Sequence, residues 1–73
     1  MDADSALLFI DTMISDENTW NRLRLLELLE NIQEEKFNLS IAKMTNDVDE
    51  MVRERAILIA SAKNINQIST NAN

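Results

Sequence analysis

The feature that most limits the fold of this 73-residue chain is the complete absence of glycine and proline. Tight β-hairpin turns depend on residues that tolerate positive φ, glycine above all, and a β-rich domain needs several such turns. The sequence is instead rich in Leu, Glu, Ala and other residues that favour helices. It therefore predicts an all-α fold, which we expect to form a single domain over residues 1–73.

The small size of the chain predicts that it needs additional stabilisation. A domain of about 60 residues buries only roughly 60% of the surface that its unfolded chain exposes, and small domains often add disulfides, metal ions or oligomerisation. Cysteine and histidine are both absent, which excludes disulfides and thiolate or imidazole metal sites. We therefore expect no cofactor, and we expect a helical core or a partner chain to supply the stability.

Apolar periodicity and capping signals divide the chain into three predicted helices. The polar run at residues 15–18, with Ser15 as the capping residue, predicts a break at 15–16 between the first two helices; one continuous helix from residue 5 is the alternative. A second break is predicted near residues 44–46, where Thr45 or Asn46 would cap the next helix and Asn46 would adopt the left-handed conformation. The predicted helices cover about 5–14, 17–43 and 47–68, and a disordered polar tail follows at 69–73.

The predicted second helix carries two apolar stripes, and an ordinary amphipathic helix has only one. One stripe consists of Leu25, Leu28, Leu29, Ile32 and Leu39. The other consists of Leu23, Leu26, Phe37, Ile41 and Met44. This pattern predicts a short N-terminal helix plus a long antiparallel helical hairpin, which forms either a three-helix unit or a dimeric helical bundle. The dimeric or hetero-complex form is favoured, because the first helix is too short to cover a second stripe.

Arg55 is unusual because it falls on the apolar face of the predicted third helix. Its stem can pack there while its guanidinium reaches solvent. Alternatively, it forms an ion pair that sets the register with a neighbouring helix or a partner chain. The candidate acids for such a pair are Glu27, Glu30 and Glu34.

The residue types present exclude most catalytic sites. Nucleophilic triads require a base, usually histidine, and phosphate-binding loops require glycine. The acidic cluster of Asp47, Asp49 and Glu50 has two interpretations, as a site for a hard cation or as acids that favour a helix N-terminus. We expect the second, and therefore predict that the chain is not an enzyme and holds no metal.

The net charge of the chain limits the kinds of partner that it can bind. The formal net charge is −6, and it lies in the N-terminal half, since residues 1–35 contain nine acids and two bases. An acidic chain repels phosphate, so we expect no direct binding to nucleic acid. The acidic N-terminus is unlike a signal peptide and no apolar run is long enough to span a membrane, so we expect a cytoplasmic or otherwise intracellular protein.

These observations favour a small non-enzymatic protein–protein interaction module, that is, an adaptor, a chaperone or a complex subunit that binds itself or another protein through an apolar helical face. The alternative is an acidic, phage-type inhibitor whose negative half mimics nucleic acid and blocks a basic groove on a target. Trp20 has two interpretations, as a side chain that covers the small core against the first helix or as an exposed interface anchor, and it is included among the binding residues because Trp is enriched at interface hot spots. The predicted partner-binding residues are Trp20, Leu25, Leu28, Leu29, Ile32 and Leu39.

Overall fold

The computed structural model of this protein describes residues 5–65, and this part of the chain is all-helical, as the sequence predicts. The first helix covers the range that the periodicity indicates. The predicted tail at 69–73 and the predicted end of the last helix at 66–68 lie outside the described residues. The helices are α1 (Ser5–Ile14), α2 (Thr19–Glu30), α3 (Asn38–Met44) and α4 (Glu50–Ala62), with one 3-10 turn (Glu35–Phe37) directly before α3.

The predicted continuous helix over 17–43 is wrong, because the chain leaves the helical conformation at residues 31–34. The backbone N–H of Asn31 donates to the carbonyl of Leu28 at 3.2 Å, and its side-chain amide donates to the carbonyl of Glu27 at 3.1 Å. Asn31 thus satisfies carbonyls that the end of a helix leaves without partners. Glu34 is extended, with φ −125° and ψ 125°. The long helix on which the predicted hairpin depended is therefore absent.

The break at 31–34 has a physical cause in the phase of the two apolar stripes. A straight helix would direct the Leu25 stripe and the Phe37 stripe to different sides. The break reorients the second stripe, so that Phe37, Ile41 and Met44 are buried in the same core as Leu25 and Leu29. Most members of both stripes are therefore covered within this chain, whereas Leu28 and Leu39 of the first stripe are 54% and 68% exposed.

The core lies among all four helices. Helix α4 packs against α2 and α3, and α1 packs against α2 and α3. The buried apolar side chains are Ile10, Leu25, Leu26, Leu29, Phe37, Ile41, Met44, Val52, Ala56, Ile59 and Ala60.

Both predicted breaks between helices are present, but other residues cap the helices. Asn18, rather than Ser15, caps α2, since its Oδ1 accepts from the N–H of Trp20 at 2.9 Å. Asp49, rather than Thr45 or Asn46, caps α4: its Oδ1 accepts from the N–H groups of Met51 and Val52 at 2.8 and 3.3 Å. A side-chain oxygen at this position satisfies an N–H group that has no partner within the helix.

The left-handed residue is Asn64 and not the predicted Asn46. Asn64 has φ 57°, and it is the one non-glycine residue with positive φ within residues 5–65. The N–H of Ile65 donates to the carbonyl of Ala60 at 2.8 Å, and the N–H of Asn64 donates to that of Ser61 at 3.1 Å. These two bonds form the Schellman motif, in which a left-handed residue ends a helix.

Candidate protein-binding surface

The outward side of α2 forms a polar ridge with Trp20 at one end. Trp20, Arg24, Glu27 and Asn31 follow one another at spacings of four, three and four residues, which places them on one line along the helix. All four are exposed, whereas Leu25 and Leu29 on the inward side are 1% and 0% exposed. We call this line of four residues the α2 ridge.

A groove separates α2 from α4 on one side of the ridge. It has a volume of about 500 Å³, and we call it the α2–α4 groove. Met51, which is 51% exposed, contributes apolar surface from α4, and Trp20, which is 66% exposed, contributes it from α2. The lining residues are Trp20, Leu23, Arg24, Glu27, Met51 and Arg55.

A second groove separates α2 from α1 on the other side of the ridge. It has a volume of about 670 Å³, and we call it the α1–α2 groove. Phe9 and Leu28 are 61% and 54% exposed there. Because Arg24 and Glu27 line both grooves, the ridge and its two grooves form one continuous surface, which we call the α2 surface. The residues that line the second groove are Phe9, Met13, Arg24, Leu25, Glu27 and Leu28.

The charged side chains of the α2 surface are not paired with one another. Within the described residues, Arg24, Glu27 and Arg55 form no side-chain hydrogen bond or ion pair. Two arginines and one glutamate give this surface a charge of +1, although the whole chain carries −6. The surface therefore combines exposed apolar groups with charges that are available to a partner.

The structure divides the predicted partner-binding residues between the core and the surface. Trp20 and Leu28 lie on the α2 surface. Leu25 and Leu29 were also predicted to bind a partner, but both belong to the core at 1% and 0% exposed, and Leu25 borders the α1–α2 groove with almost none of its surface accessible. They appeared to form an open stripe only because residues 17–43 were treated as one helix.

Two of the predicted binding residues lie away from the centre of the α2 surface. Ile32 is half-buried against the core, in the connection that follows α2. Leu39 is 68% exposed on α3 but lines neither groove. Some residues that line the α2 surface were not singled out for binding from the sequence. They are Phe9 and Met13 from α1, Leu23 and Arg24 from α2, and Met51 from α4.

Arg55 and its candidate acidic partners are only partly brought together. Arg55 is exposed and lines the α2–α4 groove with Glu27, but no ion pair joins the two. Glu30 and Glu34 line a separate polar depression at the end of α4, beside Lys63. Lys63 Nζ donates to the carbonyl of Ile32 at 3.0 Å. Pairing of Arg55 with a residue of another chain stays a prediction.

A buried ion pair that the sequence analysis missed joins α2 to the α3–α4 connection. Arg22 Nε donates to Asp47 Oδ2 at 2.8 Å, and Arg22 Nη2 donates to Asp47 Oδ1 at 3.0 Å. A third bond runs from Arg22 Nη1 to the carbonyl of Asp16 at 2.6 Å. The side chains of Arg22 and Asp47 are only 8% and 7% exposed. Arg22 precedes Leu25 and Leu29 by three and seven residues, and that spacing marks it as facing the core.

The charges of this pair are held in place by each other and by backbone groups. Burial raises the pKa of Asp47, but the hydrogen bonds from Arg22 and from the N–H of Asp49, with the charges of Arg22 and Arg53, outweigh it and leave that pKa below its ordinary value. The hydrogen bond to Asp47 raises the pKa of Arg22 against the opposing effect of burial. Both groups are therefore ionised at neutral pH, with their hydrogen-bonding capacity directed inward.

The acidic residues around Asp47 serve the backbone. Asp47 Oδ1 accepts from the N–H of Asp49 at 2.8 Å, and Asp49 caps α4. Among residues 5–65, no group of three or more carboxylates is placed to hold a metal ion. The acidic cluster is thus placed at the beginning of α4, where carboxylates interact favourably with the helix dipole.

Comparison of the chain with models of known protein families, with curated proteins and with solved structures gave no significant match. In the part of the chain that the structure describes, none of the helices has the length and apolar character needed to cross a membrane.

Proposed function

We propose that this chain is a small non-enzymatic protein–protein interaction module, an adaptor, chaperone or complex subunit that binds through the α2 surface. The observation that carries the proposal is the continuity of four half-exposed apolar side chains, Phe9, Trp20, Leu28 and Met51, across two grooves that share one ridge. Contiguous exposed apolar surface with polar residues among it is typical of protein-binding sites. Trp and Arg are the residues most enriched at interface hot spots.

The polar groups of the α2 surface support binding rather than chemistry. Arg24, Glu27 and Arg55 line its grooves without a histidine, cysteine or serine beside them. The one buried charged pair, formed by Arg22 and Asp47 within residues 5–65, is occupied by structural hydrogen bonds. A surface of this kind offers a partner apolar groups on both sides of a central line of unpaired charges.

The test compares a surface variant with a matched control. Leu28→Ser/Met51→Ser changes two side chains of the α2 surface that are 54% and 51% exposed. Leu8→Ser/Leu39→Ser changes two side chains that are 67% and 68% exposed and line neither groove. Circular dichroism and thermal unfolding first establish that both variants are folded.

Each tagged chain is then used to capture binding proteins from cells that express it, with quantitative mass spectrometry as the readout. We expect the proteins recovered by the wild type, untagged copies of the chain included, to be recovered equally by the control and at least about tenfold less by the surface variant, since hot-spot truncations cost 2 kcal/mol or more. Equal recovery by all three chains, or loss with the control alone, would contradict the proposal.

A further inference from the structure

We infer that the α2 surface is the contact of a two-fold dimer, in which α2 of one copy lies antiparallel to α2 of a second copy of this chain. The inference rests on the proposed function and names its partner. It is carried by the order of unpaired charges along the α2 ridge.

Arg24 and Glu27 are one turn apart, exposed, and unpaired within residues 5–65. A two-fold contact is self-complementary, so that if one residue faces a second, the second also faces the first. The antiparallel register that places Arg24 opposite Glu27 of the second copy therefore also places Glu27 opposite its Arg24. Two ion pairs form from one pair of residues.

The two-fold contact also matches the apolar groups beside the ridge. When two helices lie antiparallel about a two-fold axis, equivalent sides of the two helices meet. The α2–α4 groove, lined by Leu23, therefore meets the α2–α4 groove of the second copy, and the α1–α2 groove, lined by Leu28, meets its α1–α2 groove. Apolar groups thus face apolar groups on both sides of the two ion pairs.

The charge distribution favours this surface for contact between two acidic chains. Each copy carries −6, so two copies repel each other over most of their surfaces. The α2 surface is an exception, because Arg24 and Arg55 exceed its single acid, Glu27. Arg55 lines the same α2–α4 groove as Glu27 and adds positive charge where the acidic partner approaches.

The small size of the chain gives the dimer a thermodynamic role. The core within residues 5–65 contains eleven buried apolar side chains, which is modest, and small domains often gain stability through oligomerisation. Pairing across the α2 surface would remove Trp20 and Leu28 from water. A second copy also supplies a partner wherever the chain itself is made.

The test reverses the charges one at a time and then together. Sedimentation equilibrium is measured over about a thousandfold range of concentration, equivalent to the span between micromolar and millimolar dissociation constants. We expect the wild type to dimerise. Arg24→Glu and Glu27→Arg should each weaken dimerisation about tenfold or more, because each creates two like-charge contacts.

Two combinations should restore the dimer. The double variant Arg24→Glu/Glu27→Arg exchanges the charges and rebuilds both ion pairs. An equimolar mixture of the two single variants should form a heterodimer, because one chain is negative and the other positive at both positions. Glu30→Arg is the matched control: it makes the same charge change as Glu27→Arg on an exposed residue outside the α2 ridge, and it should leave dimerisation unchanged.

A second readout follows the one tryptophan of the chain. Because Trp20 is 66% exposed, dimerisation across the α2 surface should shift its fluorescence emission to shorter wavelength as the concentration rises. Arg24→Glu should move this shift to concentrations that are about tenfold or more higher.

A wild type that stays monomeric throughout, or single variants that dimerise like the wild type, would overturn the inference. These results are distinguishable from failure of the proposed function. A monomeric wild type that still captures another protein, and loses it in Leu28→Ser/Met51→Ser, overturns the second copy as partner and leaves the interaction module standing.

Discussion

Arg22 illustrates how one side chain can hold together segments that are distant in sequence. Its guanidinium bonds both oxygens of Asp47 in the α3–α4 connection and the carbonyl of Asp16 in the α1–α2 connection. Removing one partner of such a buried pair leaves an uncompensated charge, which costs about 3–5 kcal/mol. The whole stability of a chain of this length is about 4–11 kcal/mol, so this pair affects a large share of it.

The Asp47→Asn variant should make stability less sensitive to acid. The folded state lowers the pKa of Asp47, so folding favours its charged form. The contribution of Asp47 to the stability of the fold is therefore complete above its ordinary pKa of 3.8, and it is lost as the pH falls through the lowered pKa of the folded state. We expect Asp47→Asn to lose about 3 kcal/mol at pH 7 and the difference from wild type to shrink in strong acid. Urea denaturation at a series of pH values measures this.

The control for this pH dependence is Asp11→Asn. Asp11 is 54% exposed and lies 3.7 Å from Lys43, so its loss should change the free energy of unfolding by about 0.5 kcal/mol or less. If Asp47→Asn and Asp11→Asn gave the same small change at neutral pH, the stabilising role of the Arg22–Asp47 pair would be wrong.

At the scale of the element, two asparagines do the work that glycine often does at helix ends. Asn31 ends α2 by bonding carbonyls of the last turn, and its φ of −94° requires no glycine. Asn64 ends α4 with φ 57°, a region where asparagine is tolerated better than most residues. The prediction of this conformation at Asn46 followed from the predicted turn at 44–46, where asparagine would replace glycine because it tolerates the left-handed region best after glycine.

The conformation of Asn64 predicts opposite effects for two substitutions. Asn64→Gly should stabilise the chain or leave it unchanged, by up to about 1 kcal/mol, because glycine adopts positive φ without steric cost. Asn64→Ala should destabilise it by about 1 kcal/mol. Thermal unfolding of the two variants gives the sign directly.

Asn46→Gly provides the matched comparison, because Asn46 does not have positive φ. We expect it to give no gain in melting temperature. A gain at position 46 together with a loss at position 64 would contradict the assignment of the left-handed residue.

At the scale of the whole molecule, the composition was sufficient to predict helices, and polar runs were sufficient to predict breaks near 15–16 and near 44–46. The break at 31–34 was missed because no proline, glycine or strong capping sequence marks it. The sequence signal for this break was the change of phase between the Leu25 and Phe37 stripes. That change was interpreted as one helix with neighbours on two sides, whereas it marks two helical segments that face one core. Only the packing of the folded chain distinguishes these interpretations. For that reason the buried Leu29 and the exposed Leu28 were both predicted to bind a partner.

Those two adjacent leucines test the central claim, which is that α2 divides its apolar residues between the core and a surface for a partner. The measurement is the free energy of unfolding in urea of Leu28→Ala and Leu29→Ala at a low and a high protein concentration. We expect Leu29→Ala to lose about 2–5 kcal/mol at both concentrations, because it leaves a cavity in the core. Leu28→Ala should lose no more than about 0.5 kcal/mol at the low concentration, and should abolish the gain in stability that association gives the wild type at the high one. The claim would be contradicted if the two variants lost the same free energy of unfolding at the low concentration. It would also be contradicted if the stability of Leu28→Ala rose with concentration as that of the wild type does.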